Sequence, residues 1–221
     1  MMFQGSRDVA KEQHSRILER AGGTIINGST DFDRTNYFET VPRNYLEVAL
    51  WLESDRMGFL LDAMTQEKLD NQREVVKNER RQTRETAPYG LADEKLWHVL
   101  FPEGHPYHGA VIGSMADLSA ATLEDVKGFF REWYAPSDAT LAIAGDFEPS
   151  EARRLVERYF GSLPARPRPA AASHPPVRLA GEVVLREEET VAALPRLSVA
   201  WHTPPSFAPG DRKSTRLNSS H

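Results

Sequence analysis

The chain has 221 residues, 40% of them hydrophobic and 27% charged, with a formal net charge of −5 and no cysteine. Its length and composition suit a globular protein with one full domain and part of another. Disulfides and thiolate metal sites are excluded, so any zinc here must use His and carboxylate ligands. No basic patch argues for nucleic acid, and no apolar run is long enough to span a membrane.

The first predicted element is a helix over 6–21, stopped by Gly22 and Gly23. Ala10, Ile17, Leu18 and Ala21 form its apolar face, and His14 reads as a surface or packing residue. The stretch 24–41, TIINGSTDFDRTNYFETV, interleaves β-branched and aromatic residues with polar ones. That pattern predicts two strands around a short connection, with Asn27-Gly28 a candidate turn. Pro42 breaks the strand, and Asn44 can cap a helix over 45–61 whose Leu46, Ala49, Leu50, Leu60 and Leu61 recur at helical spacing. Trp51, Met57 and Phe59 read as core. A long, heavily charged helix follows over 66–86, QEKLDNQREVVKNERRQTRET, with Leu69, Val75 and Val76 as its only aliphatic residues. Taken alone, such a segment is a solvated helix face.

A further helix over 89–101 ends at Pro102, and FPEGHPYHGAVIGS is loop. His98, His105 and His108 lie here, but no carboxylate stands at a ligand offset, so a structural role is expected. Thr122 can cap a helix over 123–134, with Glu124 and Asp125 at its positive end. Residues 139–144 read as a short strand turned by Gly145-Asp146, and Ser150 as the cap of a helix over 151–160 ended by Gly161. The Pro/Ala-rich 163–176 is a linker and the best domain boundary. Beyond it, 182–185 and 196–202 read as two strands. The tail 211–221, DRKSTRLNSSH, is similar to the translation of a common sequencing adapter and is set outside the fold.

Several of these stretches together resemble the M16 metallopeptidases, the insulinase, pitrilysin and processing-peptidase family. They are the opening M-M-F-Q-G-S, the N-G-S-T…T-N-Y-F-E stretch, R-E-V-V-K-N-E, and Y-A-P…A-G-D-F. The resemblance covers nearly all of residues 1–210. It implies an α+β fold, an M16-type α/β roll with helices packed on an antiparallel sheet. Residues 1–165 would form the peptidase domain, 166–177 a linker, and 178–210 the start of a second, similar domain. In the family an H-x-x-E-H motif supplies two His ligands and a general base, and a Glu roughly seventy-five residues further on supplies the third zinc ligand. Glu79 is at that distance if the second His falls just before Met1. This sequence contains no H-x-x-E-H, so Met1 is expected to be internal to a longer reading frame.

The resemblance further implies that Glu74 is a second glutamate near the site, supporting it without binding zinc. Asn27, Gly28, Ser29 and Thr30 would form the strand edge to which an extended peptide adds. The parent would be a zinc metalloendopeptidase acting on peptides, with a second M16 half in the same chain or a partner subunit. This stretch itself is expected to be inactive and not to hold zinc tightly. The competing expectations are a non-catalytic, substrate-holding or structural member of the family and, outside it, a generic α/β binding domain.

Overall fold

A computed structural model describes residues 1–170, 174, 176–188 and 190–204. The adapter-like tail 211–221 and the end of the expected second domain, 205–210, lie outside the described residues, as do four positions of the linker. Seven α-helices and two β-strands form the regular α and β structure among the described residues. They are α1 (Gln13–Arg20), β1 (Thr24–Thr30), β2 (Thr35–Thr40), α2 (Leu46–Phe59), α3 (Gln66–Arg80), α4 (Gly90–Leu100), α5 (Met115–Ala120), α6 (Leu123–Trp133) and α7 (Pro149–Phe160). The chain divides into two compact units, one of Met1–Asn78 with Ser114–Ala172, the other of Glu79–Gly113 with the residues from 173 on. Helices dominate a two-stranded antiparallel sheet, so the α+β expectation stands. Among the described residues, no helix is long and apolar enough to cross a membrane.

In the first unit, α1, β1 and α2 meet around Val9, Leu18, Ala49 and Leu52, with Ile17, Ile26, Val41, Val48 and Trp51 packed against them. A second cluster joins Leu60, Met64 and Phe130, with Met1, Met2, Leu123 and Tyr134 at its border. Helix α7 packs on α2, and its Ala152 and Leu155 are buried. Thr122 and Asp125 form a reciprocal capping box at the start of α6, each side chain bonded to the other residue's backbone N–H.

In the second unit, Glu79 and Arg80 at the end of α3 lead into a π-helical turn, Arg81–Glu85. The buried Arg80 guanidinium reaches Glu94 at 2.9 Å. Residues beyond the linker lie against α4 through the Tyr89 hydroxyl, which donates to the Leu194 carbonyl at 2.6 Å, and through the Arg196–Asp93 ion pair.

The chain departs from the expected elements at several places. Helix α1 begins at Gln13, because Gly5 and Glu12 hold positive φ and residues 6–10 close a turn by Ser6 N–H to Val9 O at 2.8 Å. Ala10 is therefore exposed outside the helix. Residues 139–144 are not a strand. They are mostly exposed, and among the described residues no strand pairs with them to take their backbone bonds. The same holds for 182–185 and 196–202, where Val183, Val184, Leu197 and Val199 are exposed. Ser150 is inside α7 and Glu148 is its cap. Pro149 takes the first helical position, where its fixed φ fits and its missing N–H costs nothing. Lastly, 114–120, which had no predicted element, carries helix α5, capped by the Ser114 hydroxyl accepting from Asp117 N–H.

Candidate functional site: a hairpin over a buried charge cluster

Strands β1 and β2 form a hairpin with Asn27 opposite Phe38, Gly28 opposite Tyr37, Ser29 opposite Asn36 and Thr30 opposite Thr35. Asn27-Gly28 is thus mid-strand. The chain reverses over Asp31–Arg34, closed by Asp31 N–H to Arg34 O at 2.9 Å and by the Asp31 carboxylate accepting from Phe32 N–H at 2.8 Å. Asn27 Oδ1 accepts from Gly28 N–H at 2.8 Å, and the Thr30 and Thr35 hydroxyls meet at 3.2 Å. No other described strand pairs with β1. An unpaired edge of N–H and C=O groups accepts an extended chain. Upstream of Asn27 the pairing is broken by a bulge where the exposed Ile25 holds φ +55°. A β-branched residue there is strained.

Alternation sends Tyr37 and Glu39 to the inner face of the hairpin, the face with the lower exposure. Beneath them lies a cluster of charge absent from the sequence reading. His14 of α1 is 4% exposed, and its Nε2 stands 3.4 Å from Glu53 Oε1. Arg56, one turn along α2 from Glu53, is 2% exposed and donates to the same carboxylate through Nη2. Its guanidinium carbon lies 4.4 Å from the Tyr37 ring centroid and 5.1 Å from that of Phe3. The Tyr37 hydroxyl meets the Tyr134 hydroxyl at 2.8 Å. Among the described residues, Arg56 Nε and Nη1 and His14 Nδ1 have no hydrogen-bond partner.

The electrostatics follow from this crowding. Burial, with the negative Glu53 beside it, pushes the Glu39 carboxyl up to about 7. Burial also raises Glu53, but the His14 contact and the Arg56 charge outweigh it and hold Glu53 below the usual carboxylate range. Tyr37 is pushed up by burial and by its bond to Tyr134. Nearby, Asp55 is raised by burial while the Ser6 hydroxyl donates to it. One sequence signal marks this cluster, the charged E-S-D-R of 53–56 directly after the apolar V-A-L-W-L of 48–52 in α2.

Glu74 and Glu79 both lie on α3, Glu74 in the first unit and Glu79 in the second. Five residues along an α-helix turn the side chain by about 140°, so the two carboxylates do not share a face. Glu74 is 63% exposed and its carboxylate lies 3.4 Å from Lys77 Nζ. Glu79 is exposed, and its backbone carbonyl accepts from the Thr83 hydroxyl at 2.8 Å. Zinc takes three protein ligands at a catalytic centre. Among the described residues no three His, Cys, Asp or Glu side chains converge in a group that could hold a metal. Glu79 alone is therefore not a zinc site. His98, His105 and His108 sit among aromatic rings instead. His108 contacts His98 with centroids 4.5 Å apart, and His105 stacks on Phe101 at 4.7 Å.

Residues 1–98 match the family model described as insulinase (peptidase family M16), and residues 120–218 that described as peptidase M16 inactive domain. The zinc protease PqqE of Helicobacter pylori is 30% identical over 161 residues, 73% of this chain and 35% of that protein. The crystal structure of a protease from Helicobacter pylori matches with TM-score 0.71 and 29% identity, over 78% of this chain and 40% of that one. The first half of the periplasmic protease PqqL from Escherichia coli matches with TM-score 0.68 over 79% of this chain and 38% of that one; at 20% identity this is a likeness of fold. The chain thus spans little more than a third of the length of these relatives.

Proposed function

The chain belongs to the M16 peptidase family, and from that premise we propose that it is part of a zinc-dependent metalloendopeptidase with Glu79 as the third zinc ligand. The observation that carries this is R-E-V-V-K-N-E on α3, with the Glu79 carboxylate exposed and available at the end of a regular helix. Zinc, when bound, would lower the pKa of its water towards neutrality for attack on a peptide carbonyl. The other ligands are not among these residues, so this chain alone is inactive and does not bind zinc tightly. Glu74 supports the site without ligating. The β1 edge from Asn27 through Gly28 and Ser29 to Thr30 receives the peptide as an added strand. Residues 1–165 form the peptidase domain, 166–177 the linker and 178–210 the start of a second such domain. A second M16 half, in the same polypeptide or a partner subunit, completes the enzyme.

The coding sequence upstream of Met1 tests this directly. H-x-x-E-H just before Met1 is the expected result. The protein extended through that motif should then bind one zinc, and Glu79→Gln should abolish both zinc binding and peptide cleavage. An open frame without those His and Glu residues would instead make the protein a non-catalytic, substrate-holding member of the family, with Glu79 a surface acid.

A further inference from the structure

Arg56 is an expensive residue to bury. Two of its nitrogens lack hydrogen-bond partners among the described residues, and exchanging a whole buried ion pair for side chains of similar volume is commonly neutral or stabilising, whereas removing Arg56 alone would strand the Glu53 carboxylate. The pair as a whole is therefore weak as a source of stability. Besides pairing with Glu53, the guanidinium holds a ring. Tyr37 has Arg56 against its face at 4.4 Å and the Tyr134 hydroxyl at its tip at 2.8 Å. Directly across the ladder is Gly28, and the place a Cβ would take there is 3.0 Å from Tyr37 Cδ1 and 3.2 Å from Cε1. The ring thus lies against the bare backbone of Gly28, in the middle of the stretch Asn27–Thr30.

We propose that Arg56 is a positioning residue for the peptide-accepting edge: it fixes the Tyr37 ring, and the ring fixes the Gly28 backbone. An added strand bonds to N–H and C=O groups along one line, so a displaced Gly28 spoils the register of the groups on both sides of it. Arg56 acts through Tyr37 and does not touch the peptide. This rests on the reading of β1 as the substrate edge.

The test compares Arg56→Lys with the double variant Arg56→Met and Glu53→Gln, which removes the ion pair as a whole, in the full chain. Thermal unfolding is measured beside capture of a fluorescein-labelled extended heptapeptide, Lys-Thr-Val-Thr-Val-Thr-Lys, by fluorescence anisotropy. Methionine fills the space without a charge, and lysine keeps a cation over the ring. The expected result is that Arg56→Met with Glu53→Gln unfolds near the wild-type temperature but captures the peptide more weakly, by at most about fivefold to tenfold, the bound set by one desolvated cation–π contact. Arg56→Lys should recover part of that affinity even if it is the less stable variant. A space-filling role would give the opposite order, with methionine best in both assays. A double variant that captures the peptide as wild type does overturns the proposal. Should the double variant fail to fold, Tyr37→Leu decides: equal capture overturns, and a fivefold loss supports. Wild-type protein that captures no peptide refutes instead the assignment of β1 as the edge, and the two failures are therefore distinct.

Discussion

Glu39 is the group whose removal is most informative, because its carboxyl loses its proton near neutral pH in the folded protein and near 4.5 when unfolded. Between these values the folded state binds the extra proton. Stability therefore falls as pH rises from 4.5 through about 7 and is level above that. At about 1.4 kcal/mol per pH unit the full span is at most about 3.4 kcal/mol. The side chain is only partly buried, so solvent screening reduces this to about 1–2 kcal/mol. Glu53 does not confuse the window. Its folded value is depressed, so its contribution is present above its ordinary carboxylate pKa and is lost in acid, below the range of interest. Glu39→Gln removes the penalty while keeping the shape of the side chain. Urea unfolding followed by circular dichroism should show the variant more stable than wild type by about 1–2 kcal/mol at pH 8, with the gap closing as pH approaches 5. Parallel stability profiles from pH 5 to 8 would refute the reasoning, for Glu39 would then titrate alike in both states.

Two other substitutions probe the frame that carries the hairpin. Thr122→Ala removes the reciprocal cap of α6 and should cost about 1 kcal/mol in the same unfolding assay, whereas Thr122→Ser should cost little. Leu52→Ala empties a fully buried position between α1 and α2 and should cost about 2–5 kcal/mol, with the size reporting how far the cluster collapses.

The elements that were legible in the sequence are those whose signals act locally. The T-L-E-D start of α6 carries its own cap, Gly22-Gly23 ends α1, and the polar–apolar alternation of 24–41 marks the hairpin. The candidate site was legible only through resemblance. Glu79 and Glu74 on a charged helix are chemically unremarkable without the motif around them, and Asn27-Gly28 by its own chemistry suggests a turn. Helix α5 escaped because six residues are too few to display a period. The strand expected over 139–144 failed because apolarity predicts burial in a sheet, while a sheet also needs a neighbouring strand.

By itself, then, the sequence determined the helices other than α5, the hairpin, the exclusion of cysteine chemistry, and the family. Caps, glycine stops and periodicity are read within a few residues, and motifs are read letter by letter. Only the tertiary structure decided that Asn27-Gly28 is mid-strand, that the Tyr37 ring lies against Gly28, and that His14, Glu39, Glu53 and Arg56 share one buried pocket of charge. Those four side chains come from three elements, α1, β2 and α2, that only folding brings together. Their proton affinities and their hold on the hairpin arise from burial and mutual distance, which exist only once the chain has folded.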